Sequence, residues 1–128
     1  MSDFEWSDFF KVGKKLKNGD EASKRTAISR FYYAAFGSSR EYLTEVLNES
    51  QFSSRNDIHS KVLKRFKDSI YPDENFIHPL LLKLRSERNK ADYSKSYVPK
   101  NINAREKDSK EILKKVDELN KNPSHKRF

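Results

Sequence analysis

A broad apolar stripe over residues 21–49 restricts the fold of this chain more than any other feature. Apolar side chains recur there at helical spacing in a main stripe and a flanking one: Ile28, Phe31, Tyr32, Ala35, Phe36, Tyr42, Leu43, Val46 and Leu47. This spacing indicates a long amphipathic helix, and Asp20 is suited to be its N-cap. Because a stripe this wide implies contact with at least two other helices, we expect a helical bundle.

Further segments also show helical periodicity. The predicted helices cover about residues 3–17, 21–49, 57–70, 76–94 and 101–119. With only three glycines and four prolines in the chain, few positions interrupt a helix. We predict an all-α fold, an antiparallel bundle of four to five helices, in which residues 1–120 form a single domain and residues 121–128 form a basic, disordered tail.

The apolar pattern also predicts which side chains form the core. The second and fourth helices should pack antiparallel and bury four side chains between them: Phe31, Ala35, Leu81 and Leu84. The first helix should bury Phe4, Phe9, Val12 and Leu16. The third helix should bury a face that ends at Ile70, and residues 71–75 should form a turn.

Several classes of site are excluded by residue usage. The chain has no cysteine, so it has no disulfide, no thiolate metal ligand and no thiol nucleophile. His59, His78 and His125 lack metal-ligand spacing, and three scattered glycines cannot form a phosphate-binding loop, so we predict no metal and no cofactor. No apolar run approaches the ~20 residues of a membrane span. Since the acidic N-terminus also lacks the basic start of a secretory signal, we expect a cytoplasmic protein without a membrane partner.

Positive charge is concentrated in the second half of the chain. Residues 1–75 carry 13 Lys and Arg against 12 Asp and Glu, whereas residues 76–128 carry 14 against 7, which gives most of the net charge of +8. Such a bias suggests an anionic partner, nucleic acid first, although a solvated Lys-rich face explains it equally well. The candidate RNA- or phosphate-binding residues are Lys83, Arg85, Lys90, Lys95 and Lys100.

Arg88 interrupts an apolar helix face. Helical spacing places it with Ile77, Leu81 and Leu84, where a buried guanidinium costs several kcal/mol unless it is paired. Arg88 should therefore be at least half buried and should contact Asp92, Tyr32 or Tyr33. Two interpretations remain open: an ion pair that locks the fourth helix to the second, or a polar pocket for a phosphate or an RNA backbone.

Neighbouring polar and aromatic side chains would support such a pocket. These supporting residues are Arg25, Arg30, Tyr32, Tyr33, His59 and Asp92. For Tyr32 and Phe36 the pattern favours core packing, and for His59 it favours an ordinary position at the start of a helix. A site built from Arg, Tyr, Asn, Asp or a single His suits metal-independent RNA cleavage, in which the 2′-hydroxyl attacks and Arg stabilises the phosphorane.

Three sequence blocks, in this order, resemble the HEPN family of small helical domains often found in RNA-targeting and phage-defence systems. They are AISRFYYAAFGSSREYL at 27–43, IHSKVLKRF at 58–66 and LLLKLRSERNKADYS at 80–94. The resemblance implies an all-α bundle and a homodimer in which two Arg-containing helices line one cleft. It also implies a toxin–antitoxin or phage-defence setting.

The resemblance also suggests catalytic positions. Members of the family that cut RNA carry an Arg, often followed by Asn or another polar residue, then four to six residues, then a His. Here Arg88 and Asn89 match, while Tyr93 stands where the His is expected. The candidate catalytic residues are thus Arg88, Asn89 and Tyr93, and the missing His leaves open whether the chain is a metal-independent endoribonuclease.

Two hypotheses for function follow. The first is a HEPN-like protein that acts on or binds RNA. The second is a non-catalytic interaction module that partners a nucleotidyltransferase or another defence protein, which the Tyr at position 93 favours. A helix-turn-helix regulator is less favoured, because no short recognition helix with a Gly-containing turn is visible.

Overall fold

The computed structural model describes residues 2–123 and is all-α over that range. Its helices are α1 (Ser7–Leu16), α2 (Glu21–Glu41), α3 (Ile58–Lys67), α4 (Pro72–Asn75), α5 (Ile77–Tyr93) and α6 (Ile102–Lys121). A π-helical turn, Tyr42–Val46, extends α2, and a 3-10 turn covers Ser50–Ser53. Among the described helices, none has the length and apolar character needed to cross a membrane. Most of the predicted tail, with His125, lies outside the described residues.

Helix α2 is the centre of the bundle. Its N-cap is confirmed, since the Asp20 carboxylate accepts a hydrogen bond from the Ser23 amide at 2.9 Å. The helix packs against α1, α5 and α6, so helices of the same chain cover its wide apolar stripe. Arg25 contacts Ala91 and Tyr33 contacts Arg88, which makes α2 and α5 antiparallel as predicted. The four side chains expected in the core, Phe31, Ala35, Leu81 and Leu84, are all fully buried.

The first helix begins later than predicted and uses a different face. It starts at Ser7, and the expected core residues Phe4 and Val12 are both exposed. The close contact with α2 is made through glycine instead, because a Cβ at Gly13 would lie 2.6 Å from Cε1 of Phe31. A Cβ at Gly37 of α2 would overlap the indole ring of Trp6. Sequence periodicity cannot reveal a helix contact whose centre is an absent side chain.

Two arginines of α2 bind backbone carbonyl groups of neighbouring segments. Arg25 donates to the carbonyl oxygens of Ala91 at 2.9 Å and Ser94 at 2.8 Å, and also to those of Lys95 and Tyr97. Arg40 donates to the carbonyl oxygens of residues 52–54, at 2.7, 2.9 and 3.4 Å. Arg25 therefore holds the C-terminal end of α5, and Arg40 holds the segment that leads into α3.

A buried polar network lies at the start of α4. Glu74 has an exposed fraction of 0%, accepts a hydrogen bond from the hydroxyl of Tyr42 at 2.5 Å and is bound by Arg65 at 2.9 Å. Arg65 also pairs with Glu49 at 2.8 Å. The turn predicted over residues 71–75 is thus a helical turn that buries a carboxylate. Ile70, expected in the core, is 85% exposed because α3 ends at Lys67.

Candidate anion-binding site

Arg88 occupies the interface between α5 and α2. Its exposed fraction is 7%, and its Nη2 donates to the hydroxyl oxygen of Tyr33 at 3.0 Å. The Asp92 carboxylate lies 3.8 Å from Nη1, at the long end of ion-pair distances, and Nε has no partner among the described residues. The prediction that Arg88 is at least half buried and contacts Asp92, Tyr32 or Tyr33 is confirmed. Its charge is only weakly compensated, because a neutral hydroxyl makes its shortest polar contact.

A second guanidinium approaches the same tyrosine. The Cζ atom of Arg88 lies 5.1 Å from the ring centroid of Tyr33, and that of Arg30 lies 5.3 Å from it. Arg30 also stacks over Phe9 at 4.5 Å. Within residues 2–123, no carboxylate lies within ion-pair distance of Arg30. The cation–π contacts stabilise Arg30 and Arg88 without neutralising the charge of either.

His59 joins this cluster from the first turn of α3. Its Nδ1 lies 2.5 Å from the hydroxyl oxygen of Tyr32, and its ring stacks on Phe36 with centroids 4.3 Å apart. Tyr32 is fully buried, as the core-packing interpretation requires, and Arg88 lies 5.2 Å from its ring centroid. Three helices therefore supply the cluster: Tyr32 and Tyr33 from α2, His59 from α3 and Arg88 from α5.

Burial and positive charge keep His59 neutral. Desolvation, followed by the charges of Arg88 and Arg85, lowers the pKa of His59 to about 4. Desolvation also raises the pKa of Tyr32, so its hydroxyl keeps its proton. That proton has an acceptor in Nδ1 of His59, an arrangement that assigns the ring hydrogen of the imidazole to Nε2. His59 thus presents a neutral imidazole beside the arginines at neutral pH.

Arg85 adds a third positive charge next to this imidazole. It donates to the Ser60 hydroxyl at 3.3 Å, which connects α5 to the start of α3. Within the described part of the chain, Asp92 is the single carboxylate within 4 Å of Arg30, Arg85 or Arg88. Three guanidinium groups face one distant carboxylate, so the cluster has an excess of positive charge where water is partly excluded. Such a site is suited to a phosphate or another oxyanion.

The predicted phosphate-binding lysines do not gather around this cluster. Lys83 lies on the side of α5 that faces α6, where it pairs with Glu87 at 3.8 Å, and Lys90 lies two turns further on the same side. Lys95 and Lys100 are exposed in the connection between α5 and α6. Of the five candidates, the structure brings only Arg85 to the cluster.

Asn89 and Tyr93 lie on the outer face of α5. Both are exposed, Tyr93 by 80%, and neither shows a hydrogen bond to Arg88, Tyr33 or His59 in the described range. Arg25 is likewise outside the cluster, since its donors are directed at the backbone beyond α5. Asn89, Tyr93 and Arg25 therefore lie outside the cluster that contains the buried Arg88.

The sequence analysis included His59 among the supporting residues but did not predict its central position. The residue was expected to be an ordinary helix start, but the fold brings its ring against Tyr32 and Phe36. Its place in the block IHSKVLKRF was the one available signal. The described residues contain no group of three or more His, Asp or Glu side chains arranged to hold a metal ion.

Comparisons with protein-family models, with curated proteins and with solved structures found no match to this chain.

Proposed function

We propose that this protein is a HEPN-like RNA-binding protein whose Arg88 cluster binds the phosphodiester backbone. The observation that carries the proposal is the incomplete pairing of Arg88, which is 7% exposed and has its carboxylate neighbour 3.8 Å away. A structural ion pair at this depth would have a close carboxylate, because an unpaired buried charge costs several kcal/mol. An anionic ligand that completes the pairing accounts for the arrangement.

His59 supports a second part of the proposal, RNA cleavage. Because Nδ1 already accepts from Tyr32, the hydrogen of the imidazole is on Nε2, and it can donate together with Arg88 to a phosphate oxygen on which negative charge grows when a 2′-hydroxyl attacks. Tyr93 occupies the position at which the family resemblance expects His, and α3 supplies an imidazole from another direction. Cleavage is a separate outcome from binding, and the experiment below distinguishes the two.

The alternative is a non-catalytic module that binds a nucleotidyltransferase or another defence protein. Leu82 and Tyr93 favour it, because they are 48% and 80% exposed and lie on one side of α5. Co-purification from the native host, with the neighbouring gene product identified, tests this alternative. A stable complex that forms through the α5 face and without RNA would favour the module.

Binding of a labelled single-stranded RNA, measured by fluorescence anisotropy at several salt concentrations, tests the proposal. We expect wild-type affinity to fall steeply with salt, because neutralised phosphates release counterions. Arg88→Met should lower the affinity at least tenfold. Lys110→Met removes the same charge from an exposed position of α6 and should have little effect.

The same samples, followed on a denaturing gel without divalent metal, report cleavage. Cleavage by the wild type that is lost in both Arg88→Met and His59→Asn would establish the nuclease activity. Binding without cleavage would leave an RNA-binding protein. Equal affinity of the wild type and Arg88→Met, or no binding at low salt, would refute the proposal.

A further inference from the structure

We infer that single-stranded RNA bound at the Arg88 cluster continues over α3 into a second surface, the α3 groove. This inference depends on the proposed function and specifies where the strand goes. The α3 groove has a volume of about 620 Å³. Its apolar residues are Phe52, Ile70 and Tyr71, and its cations are Lys61, Lys64 and Arg65.

The groove combines the two kinds of side chain that single strands use. Proteins that bind single-stranded nucleic acid place cations along the backbone and offer aromatic or apolar surfaces to the bases. Ile70 is 85% exposed, an unusual position for a large apolar side chain with no described partner helix over it. Tyr71 follows it in the chain and also lines the groove. The volume is within the range of ligand pockets.

Helix α3 contributes residues both to the groove and to the Arg88 cluster. Arg85 donates to the Ser60 hydroxyl at 3.3 Å, and Ser60 is next to His59 in the chain. Lys64 follows Ser60 by one helical turn, so both lie on the same side of α3, about 6 Å apart along its axis. Because Lys64 also lines the groove, a path of donors leads from Arg85 across Ser60 and Lys64 into it.

The cations along this path differ in how tightly they are paired with carboxylates. Arg65 forms ion pairs with Glu49 and Glu74, so its charge is already compensated within the protein. Lys64 pairs with Asp68 at 2.6 Å, but both side chains are exposed, and such surface pairs contribute little and exchange easily. Lys61 has no ion-pair partner among residues 2–123. Lys61 and Lys64 are therefore the cations available to phosphates.

An acidic protein segment is the competing occupant. The groove would offer it the same cations, and Asp68 in the wall would act alike on carboxylates and phosphates. The connection to Arg85 and Arg88 favours RNA, because one polyanion then satisfies both surfaces.

Anisotropy with 5′-labelled RNAs of two and eight nucleotides tests the inference. We expect Lys61→Glu and Ile70→Ser each to weaken the octamer at least fivefold and to leave the dinucleotide unchanged. The salt dependence for the octamer should also become shallower in Lys61→Glu, by about 0.7 in slope for each lost phosphate contact. Lys110→Glu and Val98→Ser make the same changes at exposed positions outside the groove and serve as matched controls.

The outcomes separate the two proposals. Octamer binding that depends on Arg88, with groove variants equal to the wild type, would overturn the α3 groove and leave the Arg88 site standing. No binding of either RNA to the wild type would overturn both. A peptide of alternating Glu and Leu that binds the wild type but not Lys61→Glu, while RNA does not compete, would assign the groove to a protein partner and overturn this inference.

Discussion

Arg88 reaches the hydroxyl of Tyr33 at 3.0 Å, closer than the 3.8 Å that separates it from its carboxylate neighbour Asp92. Folding thus removes this guanidinium from water, and no close ion pair offsets the free-energy cost of its desolvation. Buried charges of this kind can often be replaced by apolar side chains without loss of stability.

We predict that Arg88→Met keeps or raises the melting temperature, while Arg105→Met lowers the stability by ~3 kcal/mol. Arg105 is similarly buried but pairs with Glu87 at 3.3 Å and Asp108 at 3.0 Å, and its removal takes from the partly buried Asp108 its ion-pair partner and leaves Glu87 with Lys83, 3.8 Å away. Thermal and urea unfolding, followed by circular dichroism, measure both changes. If Arg88→Met unfolds the protein, Arg88 is structural and the site assignment is wrong.

His59 should titrate with a pKa of about 4, well below its ordinary value of 6.5. Arg85→Ala and Arg88→Met should each raise this pKa, because each removes a nearby positive charge. An NMR titration of the imidazole resonances measures the shift. A wild-type pKa near 6.5 would show that the ring is not held in the cluster.

The lowered pKa of His59 also predicts that the stability of the fold depends on pH. Since folding lowers the His59 pKa, the unfolded chain binds the proton more tightly, and the stability due to this group is complete above about pH 6.5. It should decline as the pH falls towards 4, and His59→Asn should weaken that decline. Urea midpoints across this range test it, with His78→Asn as the control.

The buried carboxylate of Glu74 should stabilise the fold at neutral pH and lose this effect in acid. Burial alone would raise its pKa, but hydrogen bonds from Tyr42, Arg65 and Ser69 outweigh burial and lower it. Glu74→Gln should therefore cost about 2–3 kcal/mol at pH 7. The difference from the wild type should shrink as the pH falls through the lowered pKa, because the wild-type carboxylate is then protonated. An equal difference at pH 7 and pH 3 would contradict this account.

Gly37→Ala should displace Trp6, the single tryptophan of the chain. The new methyl group would overlap the indole ring, and overpacking of this kind typically costs about 1–3 kcal/mol. A red shift of tryptophan fluorescence, together with a lower melting temperature, reports the displacement. Ser38→Ala, at the next position, should leave the emission maximum unchanged.

The expected homodimer remains a prediction and now has a different basis. The width of the α2 stripe, which suggested it, is accounted for by packing against α1, α5 and α6. The exposed side of α5, with Leu82 and Tyr93, is the better candidate for a contact between two copies. Light scattering should give twice the mass of one chain at micromolar concentration, and Leu82→Glu should give a monomer. A monomeric wild type would exclude the dimer.

The sequence was sufficient to predict the all-α fold class and the burial of Arg88. Helical periodicity placed Arg88 on the face of Leu81 and Leu84, and the cost of burying a charge then required nearby acceptors. It named Tyr33 as one of three candidate acceptors but could not choose among them, because Tyr33 is on a helix 55 residues away in the chain.

Other errors also have physical reasons. Ile70 was assigned to the core because it continues the apolar pattern of α3, but the helix ends at Lys67. Glu74 follows Pro72 in a polar segment that predicts an exposed turn, and only the approach of Tyr42 and Arg65 makes its burial possible. Long-range polar partners leave no periodic signal in a single sequence.

Arg25 and Arg40 give the connecting segments unusual freedom to vary. Both arginines bind carbonyl oxygens, which every amino acid provides, so their hydrogen bonds to residues 52–54 and 94–97 do not depend on which side chains stand there. Lysine lacks the planar fork that reaches several carbonyls at once and would not replace either arginine. Related chains should therefore retain arginine at these two positions while the segments they hold diverge in sequence.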